Sequence, residues 1–99
     1  MLYLIIGRDR PDSTAARAAA RDEHLARIRA LLDAGRLVLA GPLPAIDAED
    51  PGPAGFAGSL IVAEFESLQA ARCWAETDPY IAAGAWREAE VHPFRQVLP

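Results

Sequence analysis

The chain has 99 residues, 52% of them hydrophobic and 24% charged, with a formal net charge of −4. That length fits a single domain over residues 1–99, one that buries an intermediate share of its surface and gains from association with a second copy. The balance excludes a disordered chain, and the acidic excess argues against nucleic acid as a partner, since a phosphate-backbone binder needs a basic face.

Cys73 is the only cysteine, so neither an internal disulfide nor a cysteine-based zinc site can form. Leu2 to Ile6 is too short for the apolar core of a signal peptide or for a membrane span. A cytoplasmic location and no membrane partner are therefore expected.

Leu2-Tyr3-Leu4-Ile5-Ile6 is a continuous apolar run ending at Gly7, and its β-branched content predicts a first strand with apolar side chains on both faces. A charged loop with Pro11 comes next, and Ser13 or Thr14 is placed to cap a long helix that runs to about Ala34. Gly35 can supply the left-handed residue that closes it. On this helix Ala20, His24, Leu25, Ile28, Leu31 and Leu32 recur at three- and four-residue steps and share one face. Arg17, Arg21, Arg27 and Arg29 fall mostly on the other sides. His24 thus points toward the packed interior or a cavity at its edge, and it is the one histidine well inside a regular element.

A second strand, Leu37 to Ala40, is expected to end at Gly41-Pro42. Leu43 to Gly58, rich in proline, glycine and acidic residues, reads either as an exposed hairpin loop or as a lid over a pocket. Ser59 to Phe65 predicts a third strand, again largely apolar on both faces. Ser67 caps a second helix over Leu68 to Glu76. Asp78 and Pro79 suit the N-cap and first position of a short helix through Ala83, and Gly84 ends it. Trp86 to Phe94 is the last strand, with Pro93 marking an edge or a strand end.

The order β-α-β-β-α-β matches an α+β, ferredoxin-like fold: a four-stranded antiparallel sheet with two helices on one face. The other face would then be bare but apolar, which a monomer does not tolerate well. A homodimer packed through the sheet face is therefore expected.

Arg21-x-x-His24-Leu25, Gly35-x-Leu37 followed by Gly41-Pro42, Gly58-Ser59, and Asp78-Pro79-Tyr80 followed by Ala83-Gly84 stand in an order that resembles the YciI-type, or YCII-related, family over nearly the whole chain. The resemblance implies a dimeric α+β barrel, related in fold to muconolactone isomerase and small barrel monooxygenases. It also implies a site centred on a His–Asp pair, which maps onto His24 and Asp78. A few relatives are associated with breakdown of hydroxylated or chlorinated aromatic compounds, although a shared fold does not transmit a reaction.

A histidine titrates near neutral pH, and a carboxylate on one ring nitrogen fixes its tautomer. Each candidate also has an ordinary structural role: Asp78 as a plain N-cap, His24 as a satisfied, partly buried ring. Ser59, Tyr80 and Arg21 are the candidate substrate-binding residues, with Arg8 a weaker one. His92 beside Pro93 reads as surface or interface. With no close-spaced histidine pair and no third ligand, no metal is expected, and no cofactor either; a haem is disfavoured because no histidine other than His24 is placed to be its axial ligand. The expected function is cofactor-independent acid/base chemistry, whether elimination, isomerisation or proton transfer, on a small and possibly aromatic acid. The alternative is a non-catalytic dimeric module that binds a small ligand or a protein.

Overall fold

The computed structural model describes residues 1–99. Its elements are β1 (Leu2–Asp9), α1 (Thr14–Asp33), β2 (Leu37–Pro44), β3 (Phe56–Glu64), α2 (Leu68–Glu76), α3 (Pro79–Ala82) and β4 (Trp86–Phe94), with a single 3-10 turn at Gly52–Ala54. The four strands form one antiparallel sheet in the order β2-β3-β1-β4. This is the ferredoxin-like α+β arrangement, with the helices on one face.

The two central strands set the core. Ile5 lies opposite both Ile61 and Val91, and Tyr3 opposite Ala63. Tyr3, Ile5, Ile61 and Ala63 are buried beneath Ala20, Ile28 and Leu31 of α1 and Ala71 and Ala75 of α2. The alternate side chains Leu2, Leu4, Ile6 and Leu60 are only half-buried, because no helix covers that face, although Val62, opposite Leu4, is buried there.

Several boundaries differ from the sequence reading. β1 continues past Gly7 to Asp9, and β3 begins at Phe56 rather than Ser59. Gly41-Pro42 does not end β2, which runs through it to Pro44 with Gly41 opposite Leu60 and Pro42 opposite Ser59. β2 is an edge strand, and there a proline need not donate to the ladder. Neither Ser13 nor Thr14 caps α1 through its side chain; the Ser13 hydroxyl donates instead to Asp9 Oδ2 at 2.5 Å. Leu32 is 58% exposed and so lies off the buried face of α1.

Two local features set the entry into β4. At the end of α3, Gly84 has φ 78°, Ala85 N–H donates to Tyr80 O and Gly84 N–H to Ile81 O. This paired closure needs a left-handed residue and turns the chain directly into the strand. Trp86 then lies across Gly7: a Cβ at position 7 would stand 2.1 Å from Trp86 Cε2, so only glycine leaves room for the indole. No helix is long and apolar enough to cross a membrane.

Candidate active site

Arg17, Arg21 and His24, at four- and three-residue steps on α1, face a cavity of about 280 Å³. Ser59 and Ile61 of β3, Ala40 to Pro42 of β2, and Tyr80 of α3 complete much of its wall. Leu25, Ile28 and Leu37 make one side apolar. An apolar wall with a few convergent polar groups is the usual character of a small-molecule site.

His24 is 5% exposed and held on all sides. Its ring stacks on Tyr80, with centroids 3.9 Å apart and planes 10° off parallel, and meets the edge of Trp86 at 5.4 Å. Its Nδ1 lies 2.8 and 2.9 Å from the two carboxylate oxygens of Asp78, which is 54 positions further along the chain. Asp78 does double duty. Its Oδ1 accepts from Tyr80 N–H at 2.9 Å, capping α3, while Oδ2 accepts from Arg27 at 3.0 Å. Every neighbour of the carboxylate is a donor, so in the neutral imidazole the proton sits on Nδ1 and Nε2 carries the free lone pair. Nε2 has no partner within the protein. Asp78 itself does not line the cavity; it lies behind His24.

The other predicted residues also gather here. Ser59 is buried in the wall and accepts from Arg17 at 3.0 Å. Arg21 is exposed at the rim and makes no ion pair. Burial raises the Tyr80 phenol above its usual 10.0, against the opposing pull of Arg17 and Arg21. Arg8 is absent from the site: it pairs with Glu90 at 2.8 Å on the bare sheet face. The 43–58 connection contributes no residue to the cavity and so is not a lid over it in this structure.

Three participants were missed in the sequence. Arg17 makes a two-pronged bond to Asp9, at 2.6 and 2.9 Å, and also reaches Gly58 O. Arg27 lies over the Trp74 ring at 4.3 Å and donates to Trp74 O as well as to Asp78. Neither arginine takes the solvated side of α1. The positions Arg17, Ala20, His24, Arg27, Ile28 and Leu31 keep to three- and four-residue steps, so the same periodicity that flagged His24 could have placed both arginines on its face.

The fold and site define a ferredoxin-like α+β protein with a buried His–Asp pair behind a small cavity. Comparison with known proteins makes the assignment more specific. The family model for the YCII-related domain matches residues 1–95, and the chain belongs to that family. It is 54% identical over 98 residues to protein YciI of Escherichia coli O6:H1 (strain CFT073), covering 99% of this chain and 100% of the relative. A Haemophilus influenzae protein is 48% identical over the same share of both chains. Among solved structures, 5-chloro-2-hydroxyhydroquinone dehydrochlorinase (TftG) from Burkholderia phenoliruptrix AC1100, in complex with 2,5-dihydroxybenzoquinone, superposes with a TM-score of 0.80 at 30% identity, covering 96% of this chain and 94% of that one.

Proposed function

We propose that the protein is a cofactor-independent acid/base enzyme that moves a proton on a small, single-ring or enolisable acid, with elimination or isomerisation as the outcome. The observation that carries this reading is the His24 ring: Nδ1 is tied to a buried carboxylate, and Nε2 is left as the free nitrogen beside a cavity. In this role Nε2 accepts a proton from the ligand and returns it, and Asp78 orients the ring and stabilises the imidazolium. Such a group contributes roughly 10²–10⁴-fold in rate.

The cavity volume suits the ligand class. A cavity of about 150 Å³ holds benzene, and 280 Å³ leaves space for a ring with two or three oxygen substituents. The similar dehydrochlorinase acts on a chlorinated, hydroxylated ring, which supports an aromatic acid over an aliphatic one. Ser59, Tyr80 and Arg21 are the groups that would bind it. We read the bare sheet face as the contact with a second copy of the chain, and the location as cytoplasmic, in keeping with the single cysteine.

The test is turnover on a panel of hydroxylated and chlorinated single-ring acids in D2O, following deuterium incorporation, isomerisation and chloride release. Wild-type protein is expected to turn over at least one member, and His24→Gln to lose at least 100-fold in kcat while still binding it. Full turnover in His24→Gln contradicts the proposal. Binding without any turnover by the wild type favours the non-catalytic binding module instead.

A further inference from the structure

Arg17 is built into the wall of the cavity, yet its charge is already committed. Its side chain is 11% exposed, and it forks onto an Asp9 carboxylate that is itself only 2% exposed. A guanidinium neutralised in this way is a weak anchor for an anionic ligand. Its remaining reach is to Gly58 O at 2.8 Å and to Ser59 Oγ at 3.0 Å.

The bond to Ser59 has a directional consequence. The hydroxyl accepts from Arg17 through a lone pair, so its own hydrogen must point away from that donor. No protein group takes that hydrogen, and Ser59 lines the cavity. A hydroxyl that accepts from a charged donor is also polarised into a stronger donor. Arg21 lines the same cavity from α1, exposed at the rim, and has no counter-ion.

The geometry points to an oxyanion subsite at the Ser59 hydroxyl, in the cavity that Arg21 also lines, with Arg17 as its positioning residue. The Asp9–Arg17–Ser59 chain holds the serine hydroxyl as a donor toward the ligand. The ligand class is a ring or enol that presents an anionic oxygen, a phenolate or an enolate, to Ser59 and Arg21. This rests on the proposed reading of the cavity as a site for a small acid, with His24 Nε2 addressing another atom of the same molecule. It also explains why Ser59 is buried with Arg17 rather than bonded to its own backbone, the common fate of a strand serine.

The probe is 4-nitrophenol, whose phenolate is yellow and whose phenol is not, so binding and ionisation are read together without turnover. Wild-type protein is expected to bind the phenolate about tenfold more tightly than the phenol, the scale of one charge-assisted hydrogen bond. Ser59→Ala should lose most of that preference, and Arg17→Met should lose a similar share. The double variant Ser59→Ala/Arg17→Met should lose no more than Ser59→Ala alone, because Arg17 acts through the hydroxyl. Arg17→Met leaves Asp9 buried without its cationic partner, with the Ser13 hydroxyl as its remaining donor, so Asp9→Asn/Arg17→Met, which removes both charges, is the companion variant and should match it. The preference should persist in His24→Gln, which separates this subsite from the proton-transfer role. Losses that multiply in the double variant, equal binding of phenol and phenolate, loss of the preference in His24→Gln, or no binding at millimolar probe would each overturn the assignment.

Discussion

Replacing Asp78 with Asn isolates the group that sets the tautomer of His24. Asn caps a helix as well as Asp does, so the bond from Tyr80 N–H to Oδ1, now 2.9 Å, should survive and α3 should stay in place. What changes is the second position of the side chain, where an amide NH2 would face Arg27 at 3.0 Å and His24 Nδ1 at 2.9 Å. Two bonds to a charged acceptor, at about 1.5–3 kcal/mol each, are weakened or lost. Arg27 is 25% exposed and regains some hydration, so the net cost is about 2–4 kcal/mol, and the variant remains folded. Chemical denaturation measures it. Oδ1, 2.8 Å from Nδ1, is already engaged by Tyr80 N–H, and the amide NH2 in the Oδ2 position faces one donor, Arg27, so Nδ1 is the acceptor within its reach. That pairing moves the ring proton to Nε2 and removes the base; in a serine-protease triad the same change costs about 10⁴-fold. Long-range proton–nitrogen NMR of the imidazoles reads the switch without a substrate, with His92→Gln used to assign the second histidine. At a pH where the ring is neutral, the expected spectrum is an Nδ1-protonated His24 in the wild type and an Nε2-protonated one in Asp78→Asn. A wild-type ring already protonated at Nε2, or an unchanged tautomer in the variant, refutes the reasoning.

Gly7→Ala would place a methyl 2.1 Å from the Trp86 ring, and it should lower stability by about 1–3 kcal/mol as the indole is forced away from Gly7 and against His24; an unchanged denaturation midpoint contradicts this. The Tyr80 phenol, raised by burial, keeps its proton in the folded state at pH values where the unfolded chain has released its own. The unfolded state then binds fewer protons, so this contribution is fully present below pH 10.0 and declines as pH rises through that value and up to the higher folded pKa. Tyr80→Phe should flatten that decline, and identical alkaline profiles of the two proteins speak against it. Sedimentation at micromolar concentration should show a species of twice 10.6 kDa, and Leu60→Glu on the bare face should shift it toward the monomer; a wild type that sediments only at 10.6 kDa removes the dimer proposal.

The fold was legible because its signals are local. Strand-length apolar runs, the Ser67 and Asp78 caps, and glycine at the ends of α1 and α3 each act within a few residues. Their order alone then specifies the antiparallel sheet. Half of the site was legible for the same reason: His24 is read from its place on a helical stripe, and Asp78 from its cap and the family resemblance. Arg17, Arg27 and Asp9 were not, because arginine on a helix is ordinarily solvated, and what buries these two is a carboxylate reached only after folding. Asp9 lies 8 residues from Arg17, and Asp78 lies 51 from Arg27. The overextended loop reading had a different cause. Gly41-Pro42 looks like a strand end in isolation, and only the edge position of β2 makes proline compatible with its ladder.

His24 Nε2 is the atom expected to meet a ligand. The most direct measurement is imidazole nitrogen NMR of the wild-type protein titrated to saturation with the ring acid of the panel that binds most tightly. The Nε2 resonance of His24 should move with occupancy, Nδ1 should stay bonded to Asp78, and His92 should not respond. A saturated complex that leaves the His24 Nε2 resonance where it was, or a panel with no binder at millimolar concentration, contradicts the account.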